Sequence, residues 1–199
     1  MHPAPAFRPA DPDFARQLVE RVGFGMVFAD TPDGLRVAHT PILWSGADRV
    51  QFHLSRANAL ARNLDARPAL VVVNGPDAYI SARWFAEAEQ VSSWNYSAIE
   101  LDGTPVRLGE AALEDFLVRL TALHEGRVTG GVPWTMDKLS PAKKAALLRG
   151  IVGFEMRIEA QRGTAKLSQN KSAADRALLA DGLAMQGAHA MADAVRGIA

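Results

Sequence analysis

The sequence predicts a mainly β domain of the α+β class, a small antiparallel barrel with peripheral helices. Short apolar segments in the middle of the chain are separated by turn signals, as in successive hairpins. Residues 49–54 alternate between apolar and polar, the pattern of a half-buried strand. Alternation of strands with long helices, which indicates a parallel sheet, is weak. We therefore expect six to eight strands, and the length of 199 residues favours one domain over 1–199 with a helical segment from about 172.

The first half of the chain is predicted to form one helix and then a series of strands. Asp11-Pro12 supplies an N-cap and a proline at the first helical position. Thr31-Pro32-Asp33-Gly34 is a turn signal between two strands. In the alternating strand, His53 and Ser55 share the polar face. The predicted segments are a helix over 11–22, strands over 24–29, 35–44 and 49–54, a short helix over 57–65, and a buried strand over 69–73 that ends at Asn74-Gly75-Pro76.

In the second half, turn signals and helix caps again define the elements. Asp102-Gly103 and Arg162-Gly163 predict turns. Ser140-Pro141 repeats the signal of N-cap and proline, and Ser172 with Asp175 resembles a capping box. The predicted segments are strands over 79–81, 91–101 and 104–108, an amphipathic helix over 110–125, a loop over 126–138, a helix to 149, a strand over 151–160, a polar segment over 166–170, and helical sequence from about 172.

Composition argues against several classes of function. The chain has 22 basic and 22 acidic residues, and this neutral balance argues against direct nucleic-acid binding. The absence of cysteine excludes thiol catalysis and cysteine-based metal sites. No metal site is predicted, because the five histidines lack ligand spacing. Apolar runs are strand-sized and no targeting signal is recognised, so we expect a cytoplasmic protein without a membrane partner.

The first polar cluster follows the alternating strand. Arg56, Ser55, Asn58 and backbone N–H groups at a helix start would suit a phosphate group, next to His53. The alternative is a solvated strand end with an ordinary helix cap.

Two further clusters are rich in aromatic or polar side chains. The aromatic cluster is consistent either with stacking on a planar ligand or with packing in the core. The polar cluster is consistent either with a ligand-binding loop or with a solvated loop. The aromatic cluster contains Tyr79, Ser81, Trp94, Asn95 and Tyr96, and the polar cluster contains Lys166, Ser168, Gln169 and Asn170.

Three motifs in these regions resemble the PaiB family of FMN-binding negative transcriptional regulators. They are Asn74-Gly75-Pro76-Asp77-Ala78-Tyr79-Ile80-Ser81, Trp94-Asn95-Tyr96 and Lys166-Leu167-Ser168-Gln169-Asn170. Weaker matches, His39 and Pro41 among them, extend the resemblance from about residue 3 to residue 183.

The resemblance implies an FMN-binding split β-barrel, related to pyridoxamine-phosphate oxidase-like proteins, and a homodimer with flavin at the subunit interface. It implies that the FMN phosphate lies near Ser55, Arg56 and Asn58, beside the His53 strand. The aromatic cluster would line the flavin region. The polar cluster would reach the cofactor from the same or the second subunit. No catalytic residue is identified.

Two departures from the family pattern concern the same region. Ala165 replaces an aromatic residue that the family commonly has before its Lys-Leu-Ser-Gln-Asn motif. The loop over 86–93 is short and has Ser92 where proline is common. Both raise the question of whether FMN binding is retained.

These observations predict a flavin-binding sensor that acts as a negative transcriptional regulator and also accommodates a small-molecule ligand. The first alternative is a flavin-dependent oxidoreductase, including the haem-degrading type, for which His53 and Tyr96 are the residues to test. The second alternative is an interaction module without cofactor.

Overall fold

The computed structural model describes residues 1–87 and 89–198. The chain forms two compact units, and it passes between them within one helix and three strands. The first unit comprises Met1–Leu18, Val73–Glu100 and Arg162–Ala199, and the second comprises Val19–Val72 and Leu101–Gln161.

The elements follow one another in an order close to the prediction. The helices are α1 (Phe14–Val22), α2 (Ala59–Asn63), α3 (Glu110–Glu125), α4 (Pro141–Arg149), α5 (Ala173–Met185) and α6 (His189–Arg196). The strands are β1 (Phe24–Thr31), β2 (Gly34–Ser45), β3 (Arg49–Ser55), β4 (Ala69–Ile80), β5 (Ser93–Arg107) and β6 (Ile151–Lys166). Single 3-10 turns lie at Pro5–Phe7, Ala82–Trp84 and Met136–Lys138.

The six strands form a closed barrel in the order β1-β2-β3-β6-β5-β4. The β1–β2, β2–β3, β3–β6 and β1–β4 pairs are antiparallel. The predicted antiparallel fold with peripheral helices is confirmed. Among the described helices, none combines the length and the apolar character needed to span a bilayer.

The core of the second unit depends on strand alternation. Val50, Phe52 and Leu54 of β3 are buried, whereas His53 and Ser55 occupy the other face, as predicted. The rings of Phe52 and Phe154 stack at 5.6 Å between centroids. On the outer side of the sheet, α3 covers Leu43 with residues spaced at the helical period. Those residues are Leu113, Phe116 and Leu120.

The core of the first unit forms where α5 and α6 pack on the end of β4. Ile80 contacts Leu179, Leu183 and their neighbours in one buried cluster. Ser172 caps α5, and its Oγ accepts a hydrogen bond from the Asp175 N–H at 3.1 Å, as the capping-box pattern predicts.

Three predicted turns are wrong, and each of them contains a glycine. The sequence Asn74-Gly75-Pro76 lies inside β4, Asp102-Gly103 lies inside β5, and Arg162-Gly163 lies inside β6. As a result, 69–73 and 79–80 belong to one strand, as do 93–101 and 104–107, whereas Ser81 lies just outside β4. The outer ends of the strands predicted over 91–101 and 104–108, namely 91–92 and Leu108, lie outside β5.

These three glycines serve close packing, since none has a positive φ. A Cβ on Gly75 would approach Leu18 Cδ1 to 2.8 Å and also collide with the Ser97 hydroxyl. A Cβ on Gly163 would lie 2.9 Å from Pro9 Cγ. A Cβ on Gly103 would collide with the Arg157 carbonyl oxygen. At Gly75, Gly103 and Gly163, therefore, the glycine allows close packing within a strand and does not form a turn.

The N-cap predicted at Ser140 is confirmed, whereas the helix start predicted at Asp11 is wrong. Ser140 caps α4, accepting from the Lys143 N–H at 3.3 Å, as expected. The first helix, however, begins at Phe14 and not at residue 11. Asp11 instead holds a turn that precedes the helix, because its Oδ1 accepts from the Asp13 N–H at 2.8 Å.

Candidate functional site

A cavity of about 520 Å³ in the second unit contains most of the predicted phosphate-binding cluster. Its volume lies within the range of about 300–1,000 Å³ that is usual for ligand pockets. The walls come from β2, β3, the start of α2, the end of α4 and the start of β6. The lining residues are His39, Thr40, Pro41, His53, Leu54, Ser55, Asn58, Ala146, Leu147, Gly150 and Ile151.

Ser55 and Asn58 keep hydrogen-bond donors available in this cavity. The Ser55 Oγ accepts from the Ala57 N–H at 3.3 Å, and its hydroxyl proton remains free to donate. Asn58 caps α2 through its Oδ1, which accepts from the Leu60 N–H at 2.9 Å, so its Nδ2 group remains a donor. The helix itself has only five residues, so the predicted contribution of a helix N-terminus is small.

Arg56 occupies a different position from its two neighbours, because it does not line the cavity. Its Nε donates to the Arg149 carbonyl at 2.8 Å, and its Nη2 donates to the Ile151 carbonyl at 3.1 Å. Its backbone N–H donates to the Gly150 carbonyl at 2.9 Å. Arg56 therefore fixes the junction of α4 and β6, which forms one wall of the cavity.

His53 lines the cavity with a half-buried imidazole ring. Its ring is 5.8 Å from the Phe116 ring, and its Nδ1 is buried without a hydrogen-bond partner among the described residues. Burial lowers the pKa of His53 below its ordinary value of 6.5, because the charged imidazolium is poorly solvated there. His53 is consequently a neutral group with an unused ring nitrogen near neutral pH.

We expect the protein without cofactor to lose stability as the pH falls below 6.5. The unfolded chain protonates His53 near that pH, whereas the folded chain resists protonation, so acid favours the unfolded state. Thermal unfolding at pH 7.5, 6.5 and 5.5 measures the effect. His53→Gln should reduce the loss, whereas His189→Gln, at an exposed position of α6, should not. An equal loss in parent and His53→Gln would contradict the assignment.

The aromatic cluster lies in the first unit, where its members take different positions. Tyr79 and Trp94 are 51% and 54% exposed, with ring centroids 6.1 Å apart in an edge-on arrangement. Neither ring therefore belongs to the core. Tyr79 and Ser81 line a cavity of about 290 Å³, whereas Trp94 and Tyr96 line another of about 310 Å³.

Asn95 and the polar cluster are engaged mainly in contacts inside the first unit. The side chains of Asn95 and Ser168 are buried and hydrogen-bonded to each other at 3.0 Å. The Gln169 Nε2 donates to the Ala165 carbonyl at 2.6 Å and to the Ala6 carbonyl at 2.9 Å.

The two ends of that cluster differ. The Lys166 ammonium donates to the Ser93 hydroxyl at 2.5 Å, whereas Asn170 is exposed. Of the short loop over 86–93, Ala88 lies outside the described residues.

The residues of the larger cavity fit the phosphate group of FMN. Ser55, Asn58 and His53 offer hydrogen-bonding groups, one of them a buried nitrogen without a partner. None of the described residues that line the cavity carries a carboxylate. A dianionic phosphate needs such donors and is repelled by carboxylates.

Sequence reasoning missed the part of the cavity that β2 and α4 supply. His39 and Pro41 stand out in the sequence only as family matches, and Leu147 and Gly150 give no signal. They reach the cavity because β2 pairs with β3 and because Arg56 ties the end of α4 to that strand. The strands β2 and β3 are consecutive and joined by a short turn, whereas Arg56 and Arg149 lie 93 residues apart, so no local pattern indicates the α4 wall.

Comparison with known proteins identifies the family. Residues 1–160 match the family model described as "Putative FMN-binding domain". A protein from Bacillus subtilis, "Protease synthase and sporulation protein PAI 2", is 33% identical over 163 residues, which cover 79% of this chain and 77% of that protein. The chain belongs to the PaiB family of FMN-binding-domain proteins. The resemblance noticed in the motifs is confirmed, and so is FMN as the cofactor of this PaiB-family protein.

Two solved structures resemble the PaiB-family chain in fold. A conserved hypothetical protein from Mycobacterium tuberculosis has a TM-score of 0.61 at 12% identity, covering 86% of this chain and 94% of that one. The FAD and haem binding protein from Mycobacterium smegmatis has a TM-score of 0.59 at 18% identity, covering 80% of this chain and 73% of that one. At such identities the similarity concerns the fold, and it confirms the predicted fold class.

Proposed function

We propose that this PaiB-family protein is a cytoplasmic homodimer that binds the phosphate of FMN in the 520 Å³ cavity and acts as a flavin-dependent sensor in negative transcriptional regulation. The buried Nδ1 of His53 is the observation that carries the binding site, since it has no hydrogen-bond partner within 1–87 and 89–198 and lies beside two further donors. The regulatory role is supported by the family resemblance and by the name of the Bacillus subtilis relative, "Protease synthase and sporulation protein PAI 2".

Ser55, Asn58, His53 and Arg56 would have different roles in binding the FMN phosphate. The Ser55 hydroxyl and the Asn58 amide would donate to phosphate oxygens. Neutral His53 would donate from Nδ1 in the matching tautomer. Arg56 would hold the α4 wall in place through the Arg149 and Ile151 carbonyls. FMN, when bound, supplies hydride or one-electron chemistry.

An apolar face of the sheet in the second unit supports the homodimer. Side chains that point away from the barrel interior on β1, β2 and β4 are exposed or half-buried. The apolar ones are Phe24, Met26, Phe28, Leu35, Val37, Pro41, Leu70 and Val72, and they share this face with His39 and Asp30. Contiguous apolar faces of this kind usually mark protein interfaces. His39 stands opposite Met26 on this face and also lines the cavity, so a partner subunit on this face would approach the cavity rim.

The roles of the aromatic and polar clusters at the flavin ring remain predictions from the family resemblance. The Asn95–Ser168 pair and the contacts of Gln169 favour a supporting role for these three residues. Tyr79 and Trp94 are the members with exposed rings, and so they are the better candidates for direct contact.

Absorbance of the purified protein, with mass spectrometry of the released chromophore, tests the proposal. We expect a yellow protein that releases about one FMN per chain. A colourless protein that also fails to bind added FMN would contradict the site and favour an interaction module. Rapid turnover of bound FMN with NADH or NADPH and an acceptor would favour the oxidoreductase alternative.

We expect Val37→Glu to convert the dimer into a monomer. Val37 is 43% exposed and stands opposite Phe28, so a carboxylate there would be buried without a partner in the dimer. Sedimentation analysis measures the change, with a shift in the dimer dissociation constant of at least about 100-fold. Val118→Glu, at a position 48% exposed on α3, is the matched control and should stay dimeric. A dimeric Val37→Glu protein would exclude this face as the interface.

A further inference from the structure

The 290 Å³ cavity of the first unit has features of a ligand site of its own. It lies between the end of β4, the 3-10 turn at Ala82–Trp84 and the C-terminal part of α5. Its volume stands at the lower end of ligand cavities, so a small molecule would fill it. Ala78 and Leu183 give it an apolar floor, and both belong to the buried core of this unit.

Three exposed residues that line this cavity carry polar side chains, namely Tyr79, Arg83 and Gln186. Within residues 1–87 and 89–198, the Arg83 guanidinium has no carboxylate partner, and its one hydrogen bond runs from Nε to the Ser81 hydroxyl at 3.4 Å. The Tyr79 hydroxyl and the Gln186 side-chain amide make no hydrogen bond to the same described residues. Since no described lining residue is acidic, the cavity carries a net positive charge.

The aromatic wall of the cavity is built by a specific packing arrangement. Trp84 is half-buried, and its ring lies against Gly182 in α5. A Cβ on Gly182 would stand 2.6 Å from Trp84 Cδ2, so only glycine leaves room for the ring at this place. Glycine destabilises a helix interior relative to alanine. Its presence within α5 is explained by the space that it leaves for the Trp84 ring.

We propose that this cavity binds a small organic anion, a carboxylate with an apolar body. The carboxylate pairs with the fork of Arg83, with Tyr79 and Gln186 as further donors. The apolar body lies against Trp84 and Leu183. This site does not depend on the proposed phosphate site, whose lining residues are all different.

Titration with benzoate tests the proposal on the full chain, with and without bound FMN. We expect saturable chemical-shift changes at the Trp84 indole N–H in two-dimensional NMR spectra. Neutral benzamide should bind at least about 10-fold more weakly, because it lacks the charge that Arg83 pairs with. Equal binding of benzoate and benzamide, or no binding of benzoate, would overturn the proposal.

Substitutions of Arg83 test whether its guanidinium holds the carboxylate. Arg83→Gln should weaken benzoate binding at least about 10-fold, and Arg83→Lys should weaken it less. Arg16→Gln, at an exposed position of α1, is the matched control and should bind benzoate like the parent. Unchanged binding in Arg83→Gln would overturn the proposal. So would displacement of benzoate by FMN, because the cavity would then belong to the flavin region that the family resemblance assigns to Tyr79 and Ser81.

Discussion

Replacing Gly103 by alanine is expected to destabilise the protein by about 3 kcal/mol, at the upper end of what overpacking usually causes. The new Cβ would collide with the Arg157 carbonyl oxygen and would lie 2.8 Å from Met156 Cγ. The Met156 side chain can move, but the carbonyl belongs to β6 and cannot shift without disturbing that strand. Thermal unfolding should show a melting temperature lower by roughly 6–12 °C, since 1 kcal/mol corresponds to about 2–4 °C at this chain length.

Gly109→Ala is the matched control for this substitution. Gly109 precedes α3, has an ordinary negative φ, and a Cβ there would meet no atom of the described residues within 4 Å. We expect a loss below about 1 kcal/mol, which covers the weak preference of helix N-caps for glycine over alanine. If both variants unfold at the same temperature as the parent, β5 and β6 do not approach each other closely at Gly103.

The close approach of β5 and β6 at Gly103 is also an example of why the fold class was predicted correctly but single strands were predicted as two. Strand alternation, helical spacing and cap residues depend on neighbours in the chain, and they predicted β3, α3 and α4 well. A glycine in a turn-like sequence, as at Gly75, Gly103 and Gly163, has two uses, a turn or a close approach within a strand. The choice depends on what packs against it, such as Pro9 against Gly163, which the sequence does not reveal.

The candidate site was predictable to a similar extent. His53, Ser55 and Asn58 could be found because they are close in the sequence and follow a clear strand. Arg56 has the right charge and position in the chain, yet its side chain is held by the Arg149 carbonyl at the end of α4 and the Ile151 carbonyl at the start of β6. Side-chain direction depends on such distant acceptors, so the residue type alone could not predict it.

Ser55→Asp is expected to weaken FMN binding by at least about 100-fold while riboflavin binding stays within about 3-fold of the parent. A carboxylate in the cavity would face the phosphate dianion, and one pair of like charges at 4 Å costs about 4 kcal/mol at an effective dielectric constant of 20. A 100-fold loss requires only about 2.7 kcal/mol. Riboflavin lacks the phosphate, so the same substitution removes little of its affinity. Titration monitored by flavin fluorescence measures both constants.

The contrast between the two flavins gives this test its discriminating power. Ala111→Asp adds the same charge in the exposed first turn of α3, where an acidic residue is favourable, and should leave both affinities unchanged. If Ser55→Asp weakened FMN and riboflavin equally, the substitution would have altered the packing of the cavity and not its charge. If it weakened neither, the phosphate would bind elsewhere and the unpartnered nitrogen of His53 would not mark its site. Only a loss confined to FMN is consistent with a cavity in which Ser55, Asn58 and His53 hold the phosphate.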